Sequence, residues 1–182
     1  MVQVAFPASP SSMTGENAII RTYKFWETIK CFFTKRCYNY PVVYTDGLIS
    51  YVVSDGKNRT PWGIAIGDYI LALKAPEEPL TKEEANRYNK NVLFAGYEAE
   101  NLDIEVLRYI FKNAGIFNRL LKKLGGTPLK NYDYLSSNLV GREKNGMMSL
   151  DYTKGRCHVE SHFNNNGRFG IRPAINIANL YY

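Results

Sequence analysis

The hydrophobic residues change their period twice along this chain, and that order constrains the fold more than any single motif does. From residue 41 to 74 they form short apolar, β-branched runs broken by turn dipeptides. Pro41-Val-Val-Tyr44 leads into Asp46-Gly47, a strong turn signal. Leu48-Ile-Ser-Tyr-Val-Val53 resumes the strand and Ser54-Asp55-Gly56 ends it. Ile64-Ala-Ile66, Gly67-Asp68 and Tyr69-Ile-Leu-Ala-Leu73 predict a second hairpin. From Thr81 to Leu124 the spacing becomes three and four, which is helical. From Met148 onward it alternates again. Strands, then helices, then strands predict an α+β domain.

The helical stretch carries its own boundaries. Thr81-Lys-Glu-Glu84 is a capping box, in which Thr81 caps the Glu84 amide and Glu84 reaches back. Asp103 is placed to cap a second helix whose stripe is Val106, Leu107, Ile110 and Phe111. Ile116, Leu120, Leu121 and Leu124 mark a third, stopped by Gly125-Gly126, since glycine takes the left-handed terminal conformation readily. In the last third, Met148, Leu150 and Tyr152 alternate with polar residues, and Lys154-Gly155 reads as a turn. Beyond it Arg156, His158, Glu160 and His162 are expected on one strand face, with Cys157, Val159, Ser161 and Phe163 on the other. Gly170 to Ile177 supplies the closing strand.

The front of the chain is of another kind. Residues 1–18 read as an extended tail, with Pro7, Ser9, Pro10, Ser11, Ser12 and Gly15 and no hydrophobic period. Residues 19–40 read as a helix and linker: Ile19, Tyr23, Trp26, Ile29 and Phe33 recur at helical steps. Lys24, Lys30, Lys35 and Arg36 make that helix basic. Two readings stay open: a helix packed on the domain or on a neighbouring subunit, or one lying on a membrane surface. Residues 41–182 form the domain.

Composition excludes little by itself. The formal net charge of +6 favours an anionic partner, yet Lys and Arg are spread along the sequence and no nucleic-acid motif is present, so nucleic acid is not expected. Fourteen tyrosines and nine phenylalanines suit a β-rich fold or a recognition surface. Cys31, Cys37 and Cys157 make neither a disulfide framework nor a Cys-x-x-Cys metal pair. Met1 to Pro7 lacks a basic n-region and an apolar h-region, and no apolar run has the length of a membrane span.

From about residue 60 to the end, the chain resembles the C-type-lectin-like domains of bacteria and phages. That family includes the variable proteins diversified by retroelements and related surface and virion modules of Bacteroidetes. The resemblance rests on an ordered series: Thr60-Pro-Trp-Gly-Ile-Ala-Ile-Gly-Asp-Tyr-Ile-Leu-Ala-Leu73, Leu80-Thr-Lys-Glu-Glu-Ala85, Glu105-Val-Leu-Arg-Tyr-Ile-Phe111, Leu124-Gly-Gly-Thr-Pro-Leu129, Tyr134-Leu-Ser-Ser137, Asn164-Asn-Asn-Gly-Arg168 and Ile171-Arg-Pro173. Leu135 stands where the family carries Trp, and Leu102 near where it carries Pro. Residues 1–59 find little match. The resemblance implies a C-type-lectin-like fold whose ligand-facing surface lies between the Tyr-x-Ser-Ser and Arg-Pro elements. Here that names Arg142, Glu143, Lys144, Asn145, Arg156, His158, Glu160, His162, Asn164, Asn165, Asn166 and Arg168. Polarity alone points to the same stretch, since recognition residues concentrate on loops carried by a rigid scaffold. A merely solvated polar face is the competing reading.

Catalytic and metal signatures are weak. His158-x-Glu160-x-His162 places three potential ligands about 7 Å apart along one strand face, but the spacing is unspecific and no metal is expected. The Pro-Cys-x-x-Cys element that accompanies His-x-Glu in zinc deaminases is missing, as are the nucleophile elbow and the P-loop. Cys157 and His158 are strand neighbours and so point apart. The calcium motifs of animal C-type lectins are also missing, and Arg172 reads as a tether for the last strand.

The expectation is therefore a non-enzymatic, cofactor-free virion protein of a bacteriophage: a head fibre, capsid decoration or tail-tip subunit. It would be made in the host cytoplasm and displayed on the virion surface. Its N-terminal segment would attach to other virion proteins, its domain would meet a host glycan or protein, and the chain would form a homo-oligomer. A cellular adhesin-type or protein-interaction module with the same fold is the alternative. An enzyme on this scaffold would need convergent titratable groups that the sequence does not display.

Overall fold

The computed structural model describes residues 37–140, 146–154, 156–161 and 167–177. The expected tail and helix, with Ile19, Tyr23, Trp26, Ile29 and Phe33, lie outside the described residues. Within them the chain is α+β, built from antiparallel sheets and three helices. The first stretch is four strands: β1 Cys37–Tyr44, β2 Ile49–Val52, β3 Pro61–Ile66 and β4 Tyr69–Ala72. Helix α1 spans Lys82–Lys90, and the short strands β5 Leu93–Phe94, β6 Tyr97–Glu98 and β7 Glu100–Asn101 follow it. Helices α2 Ile104–Lys112 and α3 Ala114–Lys123 come next. Strands β8 Asp133–Val140, β9 Gly146–Asp151, β10 Cys157–Ser161 and β11 Pro173–Asn176 close the order.

The main sheet has the order β2-β1-β3-β4-β11-β7, so the last long strand is inserted next to β4. Strand alternation then divides the apolar pairs between two cores. Val42, Leu71 and Ala174 enter the larger one, while their neighbours Val43, Ile70 and Ile175 enter the smaller one behind the sheet. The larger core is closed by α2 and α3, which supply Leu107, Ile110, Phe117, Leu120 and Leu121. The smaller core is covered by the β5–β6 hairpin. Its Ala95-Gly96 turn has φ of 52° and 86°, the backbone that a two-residue hairpin requires. Trp62 fixes it by donating to the Leu93 carbonyl at 3.1 Å and packing 4.7 Å from the Phe94 ring.

The predicted boundaries hold where local chemistry sets them. Gly47 turns with φ 82°, Gly125 ends α3 with φ 71°, and both halves of the Thr81/Glu84 capping box are formed. Asp103 caps α2 by accepting from the Glu105 amide at 2.8 Å. At the front, β1 begins at Cys37, inside the stretch read as linker, and Tyr38 and Tyr40 already pack with the core. The β5–β6 hairpin and strand β8 have no counterpart among the elements expected from the sequence.

A second sheet, β10-β9-β8, stands beside the first. Backbone bonds on both sides of Gly170 join β8 to the segment that leads into β11: Gly170 donates to Asp133, and Leu135 donates to Gly170. A Cβ at position 170 would lie 3.0 Å from the Tyr134 ring, so a larger residue there would have to push that ring back by a few tenths of an ångström. Helix α2 packs across β8 and β9, and α1 sets Ala85 against Leu135, Phe169 and Ile171.

Candidate display surface

The three-stranded sheet carries the candidate site, and β8 is its base. Tyr134, Leu135 and Ser136 are buried. The Tyr134 ring packs edge-on against Phe111 at 5.1 Å, and its hydroxyl accepts from the Lys130 amide at 3.0 Å. Burial raises the Tyr134 phenol above its usual value, against the lowering effects of the Lys130 bond and of Arg172. Ser137 donates its amide to the Leu102 carbonyl at 2.9 Å. Asn138 then ties the strand to the start of α2: its amide oxygen accepts from Ile104 at 2.7 Å and its NH2 group donates to Asp103 at 2.8 Å. Asn138 thus extends the cap of α2 from a distant strand. No local pattern signals this, because its partners are 34 and 35 residues away.

Arg172 is the other fixed point. Its Nη2 donates to the Thr127 carbonyl at 2.9 Å, as a tether for the last strand would. Its Nε and Nη1 are buried and find no partner among the described residues. Burial lowers its pKa to about 10, while Tyr134 and Tyr88 oppose that shift. It remains a cation at neutral pH.

The named surface residues divide into three groups. Arg156 is exposed in the β9–β10 connection, where its carbonyl accepts from Asp151 at 2.9 Å. His158 and Glu160 lie two positions apart on β10, in register with Ser149 and Met147 of β9. Arg156 therefore leads directly into the strand that carries the other two, and among the described residues that strand is an edge of its sheet. Arg168 belongs elsewhere. It is exposed beside the N-terminus of α1, donates to the Pro79 carbonyl at 2.9 Å and lies 3.8 Å from Glu84. Arg142, Glu143, Lys144, Asn145, His162, Asn164, Asn165 and Asn166 lie outside the described residues.

Among the described residues no group of three His, Cys, Asp or Glu side chains is placed to hold a metal. No helix among them is long and apolar enough to cross a membrane. No protein-family model and no curated protein matches the chain.

Proposed function

We propose that this chain is a non-enzymatic binding module with a C-type-lectin-like fold, borne on a bacteriophage virion by its N-terminal segment. The observation that carries the reading is the seating of the β8–β10 sheet. Its base strand is locked by Tyr134, Ser136, Asn138 and Gly170, while Arg156 leads into its far strand and His158 and Glu160 lie on it. A rigid base under a polar edge is what a recognition surface needs, because little conformational entropy is lost when a partner binds. The placement on a virion, as head fibre, capsid decoration or tail-tip subunit, comes from the family resemblance. Many weakly binding copies on a particle would still attach firmly.

The test is binding of purified protein to host cells and to immobilised surface glycans. The triple change Arg156→Ala/His158→Ala/Glu160→Ala is expected to reduce binding at least about tenfold with an unchanged melting temperature. Unchanged binding places the contact elsewhere. Tethering is tested separately, by deleting residues 1–36, which leaves β1 whole. The shortened protein is expected to fold and to be lost from particles. Normal incorporation would refute the tether.

A further inference from the structure

The positive charge of this protein is concentrated in one segment. Lys and Arg are spread along the sequence, but Asp and Glu are not. Residues 106–132 contain six Lys and Arg and no acidic residue, and the rest of the chain carries seventeen of each sign. That segment begins inside α2, just past Glu105, and runs through α3 and the loop after it.

Helix α3 arranges part of this charge around a groove. Ile116, Arg119 and Lys123 recur along one helix face and, with Leu120, Tyr38 and Asn39, line a cavity of about 120 Å³. Arg119 and Lys123 are exposed. The Lys123 ammonium stands 4.9 Å from the centre of the Tyr38 ring, a cation–π contact that holds it at the rim. The floor is apolar and the rim is cationic.

We infer that this groove docks an acidic, extended segment of a partner protein, with one aliphatic side chain seated over Ile116 and Leu120 and flanking carboxylates on Arg119 and Lys123. The groove does not suit nucleic acid, which needs open ring faces for stacking, because the exposed Tyr109 lies on α2 and does not line it. Tyr38 is only 8% exposed. The Tyr40 ring is stacked on Phe117 at 4.5 Å, and its hydroxyl is bonded to that of Tyr109 at 2.8 Å. An anionic membrane is disfavoured too. Leu93 and Tyr109 are the large hydrophobics exposed among the described residues, and neither lies on α3, so the helix has nothing to insert. The groove is lined by the start of β1 and by α3, with no residue of β9, β10 or their connection, and the inference does not depend on the display-surface reading.

The test uses the full chain and a short labelled peptide of Asp and Glu with one central Leu, followed by fluorescence anisotropy. Saturable binding is expected, weakening as salt rises from about 50 to about 200 mM. Arg119→Glu/Lys123→Glu is expected to weaken it at least about tenfold. The exposed pair Lys57→Glu/Lys90→Glu, which changes net charge equally, should alter it less than about twofold. Replacing the central Leu by Asn should cost roughly threefold or more. Arg119→Gln/Lys123→Gln repeats the groove test if the reversed pair melts early. Equal losses from the two pairs would overturn the inference, as would the absence of saturable binding. Tighter binding to an oligonucleotide or an anionic vesicle of matched charge would overturn it as well.

Discussion

The six-stranded and three-stranded sheets are held in the molecule by different forces. The larger sheet is apolar on both faces. Val42, Leu71 and Ala174 meet the helices, and Val43, Ile70 and Ile175 meet the β5–β6 hairpin. Its position follows from area removed from water, which has no direction and tolerates local adjustment. The smaller sheet also buries Tyr134, Leu135 and Leu150, but directed polar contacts help set its seat. Asn138 binds Asp103 and Ile104, Tyr134 binds Lys130, and Gly170 bonds both ways. Hydrophobic burial makes the scaffold stable, and hydrogen bonds determine where the candidate recognition strand stands on it.

If this division is right, the costliest single change lies under the larger sheet. Phe117 is fully buried, stacked on Tyr40 and edge-on to Tyr109. Phe117→Ala is expected to cost about 3–5 kcal/mol in denaturant unfolding. A loss under about 1 kcal/mol would mean that the large core can collapse around the gap. Arg172 is the sharper probe, because charge and volume can be separated there. Arg172→Ala should cost about 2–4 kcal/mol through the cavity it leaves. Arg172→Met should stay within about 1 kcal/mol of wild type, since an apolar side chain of similar size avoids burying an unpaired cation. If Met is as damaging as Ala, the guanidinium itself is the tether, and a polar contact as well as burial holds the last strand of the larger sheet.

Asn138 tests the same division at lower energy. Asn138→Ala removes two hydrogen bonds between β8 and α2 and is expected to cost about 1–2 kcal/mol. Asp103→Ala should cost less in that background than alone, because one of its partners is already gone. Strictly additive losses would show that the two caps work independently.

The same contrast explains what could be read in advance. Alternation and helical spacing report burial directly, so the strands from Val42 to Leu73 and the stripes of α2 and α3 were legible. Caps and turns announce themselves within four residues, as Thr81/Glu84, Asp103, Gly47 and Gly125 did. Asn138, Thr127 and Gly170 act across the fold and leave no local trace. Tyr38 and Tyr40 were assigned to a linker because the sequence from Cys37 to Asn39 carries no clear period. The β5–β6 hairpin escaped because its strands are two residues long. Of the candidate surface, the strand carrying His158 and Glu160 was legible from alternation. Arg168 was grouped with them by sequence proximity, yet in three dimensions it serves α1.

The rim of the larger sheet offers the smallest and most discriminating test. Glu100 lies on β7, the outermost strand, opposite Ala174. Burial raises its pKa above the usual carboxylate value, and a hydrogen bond from Asn176 only partly offsets this. A folded-state pKa above the unfolded one favours the fold while the group is protonated and penalises it once pH rises through the folded value. Glu100→Gln should therefore raise the melting temperature at neutral pH, with the gain vanishing as pH falls below the ordinary carboxylate range. Glu84 has the opposite sign. The Thr81 amide, chiefly, lowers its pKa, so its contribution is present above the unfolded value and lost as pH falls through the folded one. Glu84→Ala should thus destabilise at neutral pH, and that deficit should shrink in acid. Melting curves of both variants against pH separate the two cases. If Glu100→Gln lowered stability at neutral pH, the bond to Asn176 would outweigh burial, and directed polar contacts would govern the edge of the larger sheet too.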